Sequence, residues 1–469
     1  MEGLLLVNVT VLGTGHVGLV TCVAFASLGH RVIGTDVDEE KIALLQGGVC
    51  PFYEPGLAEA LTKEMEAGRA SFTSDPEEAL GDADIVFICV GTPARADGQA
   101  NLSAMESSAS VIARHAPDDV VVVEKSTVPA GTADRVRLTL LREGEGRRFH
   151  VASNPEFLRE GTALQDSLRP DRIVIGVESE RALDVLQLLY EPLTQAGARL
   201  IVTDIRTAEL AKHASNAFLA LKISFANALA RLCEKTGADV SAVADVMGSD
   251  PRIGRAFLNA GLGYGGYCFP KDVAALERLS TRHGHPFGLL KEVERLNAEA
   301  VESTAEKVEE ALWNLEGKRI ALLGLAFKPG TDDVRFSPAL ALARRLLDAG
   351  AMLVACDPQA GANAKEELSE LELAGDPYEA ATDAHCLVIA TEWEEFRRLD
   401  LPRLRSIMAY PIVVDGRNVL DSAEMDAAGF WYYPTGRPPV LQGPSPAALR
   451  SADRLSSPGG RAGLPATLR

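Results

Sequence analysis

Residues 7–36 constrain the fold of this chain more than any other stretch. An apolar run at 7–12, rich in β-branched side chains, leads straight into Gly13-Thr14-Gly15-His16-Val17-Gly18. A helical pattern follows to Gly29, then a second short apolar run at 31–35, closed by Asp36. Strand, G-x-G-x-x-G, helix, strand and acid, in that order, make a dinucleotide-binding βαβ unit. Gly13 permits the tight turn, Gly15 lets the backbone approach a pyrophosphate, and Gly18 lets the helix lie close on the strand. The helix start offers free N–H groups and a positive dipole end to phosphate. Asp36 is expected to accept hydrogen bonds from ribose hydroxyls. A 2′-phosphate would meet a carboxylate there, and Val37 brings no arginine, so NAD is expected as the cofactor rather than NADP. The competing reading of the glycines is a tight structural turn.

The rest of the chain narrows the class. Its 469 residues suffice for two or three domains. A net charge of −19 argues against nucleic acid and anionic membranes as partners. No apolar run reaches membrane-spanning length. The first residues carry Glu2 and run into the glycine loop, which is not the pattern of a signal peptide. The seven cysteines are scattered, with no CxxC or Cys/His cluster, so no metal is expected and a reducing cytoplasm suits them. Cys22, Cys89 and Cys386 lie in apolar patterns and read as core.

Alternating apolar runs and amphipathic stretches predict an α/β chain of two Rossmann-like parallel-sheet domains joined by a long central helix. Residues 1–205 form the expected cofactor domain, with buried parallel strands at 85–90, 120–123, 151 and 173–175. Gly91-Thr92-Pro93 and Lys125-Ser126-Thr127-Val128-Pro129 follow two of those strands and are expected to wall the cofactor. Over 206–235, Leu210, Ala214, Phe218, Leu221, Phe225, Ala228 and Leu232 recur at helical spacing. This is read as the connecting helix of a central region, 206–305, and as the interface of a homodimer. A second αβ alternation occupies 317–435. Its first strand ends not in a glycine fingerprint but in a loop holding Phe327, Lys328 and Arg335. That loop is read as binding a different nucleotide, with ordinary solvated charges as the alternative. Residues 436–469, rich in Pro, Gly, Ser, Ala and Arg, are expected to be a disordered tail.

A second motif lies in the central region: Gly261-Leu262-Gly263-Tyr264-Gly265-Gly266-Tyr267-Cys268-Phe269-Pro270-Lys271-Asp272. Glycines allow close wrapping around a ligand. Pro270 suits a first helical turn, so Cys268 is expected at a helix N-terminus, where the dipole lowers a thiol's pKa. Asp272, four residues on, should face the same way. The chemistry this build suggests is a nucleophilic thiol beside a carboxylate; the alternative is an inert buried cysteine.

Together these blocks, with Tyr53-Glu54-Pro55-Gly56-Leu57, the stretch from Asn154 to Gly161, and Asp415-Gly416-Arg417-Asn418, resemble the UDP-glucose/GDP-mannose dehydrogenase family over nearly the whole chain. The resemblance implies a four-electron oxidation of UDP-glucose to UDP-glucuronate with NAD, through a cysteine thiohemiacetal and thioester. It implies that Cys268 is the nucleophile and that Lys212 and Asn216 stabilise an oxyanion. It gives Glu156 the acid/base work of hydrolysis, while Asp272 and Thr127 position water. Without it, Lys212 reads as a solvated helix lysine, and Glu156 with Glu160 as a solvated acidic face. The resemblance sets Gly13, Gly15, His16, Val17, Gly18, Asp36, Lys41, Gly91, Thr92, Thr127, Glu160, Lys271 and Arg335 at the cofactor. It sets Glu156, Phe157, Leu158, Glu160, Lys212, Asn216, Arg252, Phe257, Asn259, Gly263, Tyr264, Gly265, Phe327, Lys328 and Arg417 at the sugar nucleotide. Tyr267 departs from the pattern, because relatives commonly carry a small polar residue there. The alternatives are the same chemistry on GDP-mannose or a UDP-N-acetylhexosamine, a one-step dehydrogenase, and a binding protein that has lost the chemistry.

Overall fold

A computed structural model describes residues 6–93, 95 and 98–442. Eight strands build the first sheet: β1 (Asn8–Leu12), β2 (Arg31–Thr35), β3 (Ala70–Thr73), β4 (Ile85–Ile88), β5 (Val120–Glu124), β6 (Phe149–Ser153), β7 (Arg172–Val177) and β8 (Arg199–Thr203). Their spatial order is β3-β2-β1-β4-β5-β6-β7-β8, so the direction of winding reverses between β1 and β4. Ligands of such sheets bind outside the strand ends at that reversal. Gly13 leaves β1 there with φ 91°, and a Cβ on it would sit 2.8 Å from the Cys89 carbonyl oxygen beyond β4.

The second sheet holds β9 (Arg319–Leu323), β10 (Met352–Cys356), β11 (Glu372–Leu373), β12 (Cys386–Ile389), β13 (Ile412–Asp415) and β14 (Trp431–Pro434), in the order β11-β10-β9-β12-β13-β14. All its pairings are parallel. It repeats the first reversal, between β9 and β12. Asp357 after β10 stands where Asp36 stands after β2, but its Oδ2 accepts from the Leu325 and Ala326 N–H groups and from Trp393 Nε1. An indole therefore occupies the carboxylate of the second sheet, where Asp36 of the first is met by Thr14 and Lys41.

Two expectations change, and the central helix gains detail. The strand read at 173–175 is β7, and it pairs antiparallel with β6, through Ala152–Val177 and Ser153–Gly176. The first sheet is therefore mixed: β7 and β8 run parallel to each other but against the rest. The central helix spans Ile205–Thr236, capped by Asp204 and ended by Gly237 at φ 76°, and the face it buries within the chain is distinct from the apolar stripe read as an interface. Ala208, Lys212, His213, Asn216, Ala217, Ala220, Ser224, Asn227 and Ala230 point inward. Leu210, Phe218, Phe225 and Leu232 point out, Phe218 with 61% of its surface exposed. Small side chains let the helices Cys268–Arg282 and Gly288–Leu312 approach closely, which is why the inward face carries so few large apolar groups. Finally, the tail does not begin at Gly436. Val440 pairs antiparallel with Tyr432, and the Gly436 carbonyl caps Val240. The remainder of the expected tail, 443–469, lies outside the described residues. Among those described, no helix is long and apolar enough to cross a membrane.

Candidate active site

The helix His16–Ser27 starts from Gly15 at the mouth of the first sheet. A Cβ on Gly18 would collide with the Gly13 carbonyl, whereas one on Gly15 would meet nothing within 4 Å. The fingerprint thus leaves open space where a pyrophosphate must come and none where the helix must pack. Asp36 Oδ2 accepts from the Thr14 N–H at 2.8 Å and from Lys41 Nζ at 3.1 Å. Burial works to raise this carboxyl, but the N–H groups of Thr14 and Asp38 and the Lys41 ammonium bring it below its ordinary value. It is an anion at neutral pH, as a ribose partner must be. Thr92 Oγ1 donates to the Thr127 carbonyl at 2.9 Å, so the two loops expected to wall the cofactor are joined. Val17 is half-buried in the first turn of the helix His16–Ser27, and Gly91 is exposed.

Cys268 is the first residue of the helix Cys268–Arg282. The neighbours come from three separate segments. Lys212, from the central helix, places Nζ 2.9 Å from Glu156 Oε1, and both side chains are buried. Glu156 Oε2 accepts from the Leu158 N–H at 2.6 Å. Asn216, one turn beyond Lys212, donates to Asp272 Oδ2 at 2.6 Å, and Lys271 Nζ donates to Asp272 Oδ1 at 2.7 Å. The Arg172 guanidinium and Lys212 Nζ both lie over the Phe157 ring, at 4.0 and 5.3 Å from its centre. Glu156 and Glu160 sit in an irregular loop rather than on a helix, and Glu156 is buried, so neither belongs to a solvated acidic face.

The electrostatics correct one expectation. Burial pushes the Cys268 thiol up to about 12, with Glu156 and Asp272 adding to the rise and Lys212 opposing it. The helix start and one ammonium are outweighed by desolvation and by the neighbouring carboxylates. Burial alone would lower Lys212, but Glu156, Cys268 and Asp272 together raise it, so it stays an ammonium. Asp272 is held below its ordinary value: burial is outweighed by Lys271, His213 and Lys212.

Glu160 has the opposite character. Burial drives its carboxyl from an ordinary 4.5 up to about 7, helped by Asp333 and opposed by His16, Arg335 and Lys328. Its folded-state pKa is raised, so the unfolded chain releases this proton first. Its contribution to stability therefore falls as pH rises from 4.5 to about 7, and the full penalty persists above that. The shift corresponds to about 3 kcal/mol at most. Glu160→Gln is expected to raise the melting temperature of the ligand-free protein above pH 7 and leave it little changed near pH 5. Equal effects at both pH values in thermal melts would contradict this.

The second half closes the cleft. Lys328 stands over the Phe327 ring and is lowered by burial against the pull of Glu160, Glu54 and Cys268. Arg335 pairs with Asp333, lies 3.7 Å from Glu160, and stacks on the Tyr267 ring at 4.6 Å. Lys271 Nζ lies over the same ring while donating to Asp272. The glycine loop is pressed between halves: a Cβ on Gly265 would strike the Phe336 carbonyl, and one on Gly266 would sit 2.7 Å from the Phe327 ring. Tyr264 exchanges two hydrogen bonds with Asn297, and Phe257, at φ 64°, packs toward Phe269. Arg417 spends its donors on the carbonyls of Gly263 and Ala390, so it braces the loop rather than offering a free guanidinium.

Two candidates are not brought in. Arg252 is 86% exposed along its side chain and pairs only with Asp250. Asn259 is exposed, its amide oxygen accepting from Arg255. Two residues went unread in the sequence. Glu54 accepts from the N–H groups of Gly161 and Ala163 and lies 2.8 Å from His16 Nε2, tying the cofactor helix to the Glu156 loop. Its presence in the Tyr53–Leu57 block was the only signal. His213 is buried with Nδ1 3.8 Å from Asp272 Oδ1, and burial lowers its pKa; a histidine amid helical spacing gives no warning of that.

Comparison with known proteins agrees along the length of the chain. Three family models match in order: the NAD binding domain of the UDP-glucose/GDP-mannose dehydrogenase family over residues 7–194, its central domain over 206–299, and its UDP binding domain over 321–422. A UDP-glucose 6-dehydrogenase of Rhizobium meliloti (strain 1021) is 47% identical over 435 residues, covering 92% of this chain and 100% of the relative. The structure of a UDP-glucose dehydrogenase from Pyrobaculum islandicum aligns with TM-score 0.86 at 42% identity, over 92% of this chain and 98% of that one. A UDP-D-ManNAc dehydrogenase from Pyrococcus horikoshii aligns with TM-score 0.81 at 29% identity, over 92% and 99%.

Proposed function

The chain belongs to the UDP-glucose/GDP-mannose dehydrogenase family, and on that premise we propose that it oxidises UDP-glucose to UDP-glucuronate with NAD⁺. The observation that carries the chemistry is a half-buried thiol flanked by an ammonium and two carboxylates at the junction of the two halves. NAD⁺ held by the Gly13–Gly18 turn, Asp36, Thr92 and Thr127 supplies the hydride acceptor for both oxidations.

The residues explain why a thiol is required. An aldehyde carbon carries no tetrahedral C–O⁻ from which a second hydride can leave. Addition of Cys268 Sγ makes that carbon tetrahedral, and the resulting thiohemiacetal becomes a thioester when the hydride departs. Lys212 and Asn216 face the developing oxyanion with one fixed cation and one amide donor. Glu156, already hydrogen-bonded to Lys212, is placed to move the proton of the water that releases the carboxylate. Asp272 and Thr127 orient that water. Lys328 supplies charge for the diphosphate.

NADH counted per sugar consumed tests this reading. Two NADH per UDP-glucose are expected, with UDP-glucuronate as the product. One NADH would mean a simple alcohol dehydrogenase, and none a binding protein. Faster turnover of GDP-mannose or a UDP-N-acetylhexosamine would move the substrate within the family.

The outward stripe of Leu210, Phe218, Phe225 and Leu232 runs along one side of the central helix, and such a face is costly to leave in water. A homodimer through it is part of the same reading, as is a cytoplasmic setting for the free thiols. Light scattering is expected to give twice the chain mass for the wild type and one chain mass for Phe218→Glu. A wild-type monomer would remove the dimer.

A further inference from the structure

A cavity of about 390 Å³ lies between Arg95, Gln99, Ala100 and Leu102, the stretch Pro129–Thr132 and the helix that begins at Cys268. None of the fingerprint, Asp36, Thr92, Cys268 or Lys328 lines it. Four arginines do: Arg95, Arg135, Arg278 and Arg282, with His283 beside them. Among the described lining residues there is no carboxylate.

That composition is out of keeping with the chain. The net charge is −19, and elsewhere the arginines that cluster do so with acids, as Arg345 does with Glu302 and Glu309. Within this cavity Arg95, Arg135 and Arg282 make no ion pair with any described residue, and Arg278 reaches Glu277 only at 3.8 Å. Arg282 donates instead to the neutral Gln99 Oε1. Gathering unpaired cations costs free energy unless an anion joins them. The helix start nearby does not serve that need, because Glu209 already takes the N–H groups of Gly131 and Ala133. A ligand here must be held by guanidinium groups, whose planar forks match phosphate oxygens. The volume is that of a small-molecule site, and Leu102, Pro129, Ala275 and Leu279 give it an apolar floor.

We propose that this cavity is a second anion site, separate from the cofactor and sugar-nucleotide sites, and that it takes a polyphosphate group. Free polyphosphate and the triphosphate of a nucleotide share that chemistry, and the apolar floor would favour the nucleotide.

Calorimetry on the full chain tests it, with NAD⁺ and UDP present in excess to occupy the other sites. The probes are tripolyphosphate and ATP, at about 0.15 M salt, where distant surface charges are screened. One site per chain is expected for tripolyphosphate. Arg135→Glu and Arg278→Glu should each weaken it at least about tenfold, the loss of one charged contact. Arg397→Glu, which changes the net charge equally on the other half of the molecule, should leave it intact. Arg282→Gln is a milder variant should the charge reversals disturb folding, and it too should weaken binding. Tighter binding of ATP would identify the nucleotide as the source; equal binding would identify the polyphosphate alone. Failure of both probes to bind, or binding untouched by the arginine variants, overturns the proposal. So does an oligomer whose mass changes with Arg278→Glu while neither probe binds, because the cavity would then hold an acidic segment of a second copy.

Discussion

Cys268→Ser is expected to reduce steady-state NADH formation roughly a thousandfold or more, the scale seen when a covalent nucleophile is removed. The reason lies in the second half of the reaction. A serine hydroxyl adds to an aldehyde less readily in a site that already disfavours an anion, as the elevated thiol shows. If an ester does form, an alkoxide leaves less easily than a thiolate. The variant should therefore stall within a single turnover, after one NADH per sugar if it halts at the aldehyde and after two if the ester forms and is not hydrolysed. Rapid-quench product analysis distinguishes this from simple misfolding, since a misfolded enzyme would give no first NADH. Two NADH per sugar at an undiminished rate would remove the thioester from the mechanism.

Lys212→Ala is expected to lower kcat about a hundred- to thousandfold, the range for deleting one oxyanion donor. It should also destabilise the fold by about 3 kcal/mol, because Glu156 is left buried without its cation. The two effects separate by design. Lys212→Met combined with Glu156→Gln removes the unpaired charge and should restore most of the melting temperature but none of the rate. Recovery of both would reduce Lys212 to a structural role. The lysine also holds the thiol's pKa down, so the single variant should move the pH dependence of the second oxidation to higher pH.

How far the sequence could lead depended on whether the signal was local. The βαβ turn was legible because each glycine answers to contacts within a short span, and Gly13 and Gly18 meet those contacts as expected. The helix start at Cys268 was legible from Pro270 two residues on. The reversal of β7 against β6 was not, because a buried strand has the same composition in either direction. The central helix was legible as a helix with one apolar stripe, and its inward face was not. Its large apolar residues face outward, while its inward face is made of Ala, Ser, Asn and a salt-bridged Lys. Periodicity finds the greasy side of a helix, which is the core side only when no other surface competes for it. The raised thiol was not legible because the sequence shows the helix start but not the burial and the carboxylates that surround the sulfur.

The seam at Gly265 and Gly266 has a consequence for how spent cofactor leaves. Gly266 N–H donates to the Arg335 carbonyl, and Arg417 grips the Gly263 carbonyl, so the loop carrying the sulfur is fastened to the distal lobe. Were the lobes to gape, the dinucleotide shelf would swing away while an acylated cysteine stayed behind with its sugar. One substrate molecule could in this way outlast the exchange of reduced for oxidised carrier without ever drifting into bulk solvent.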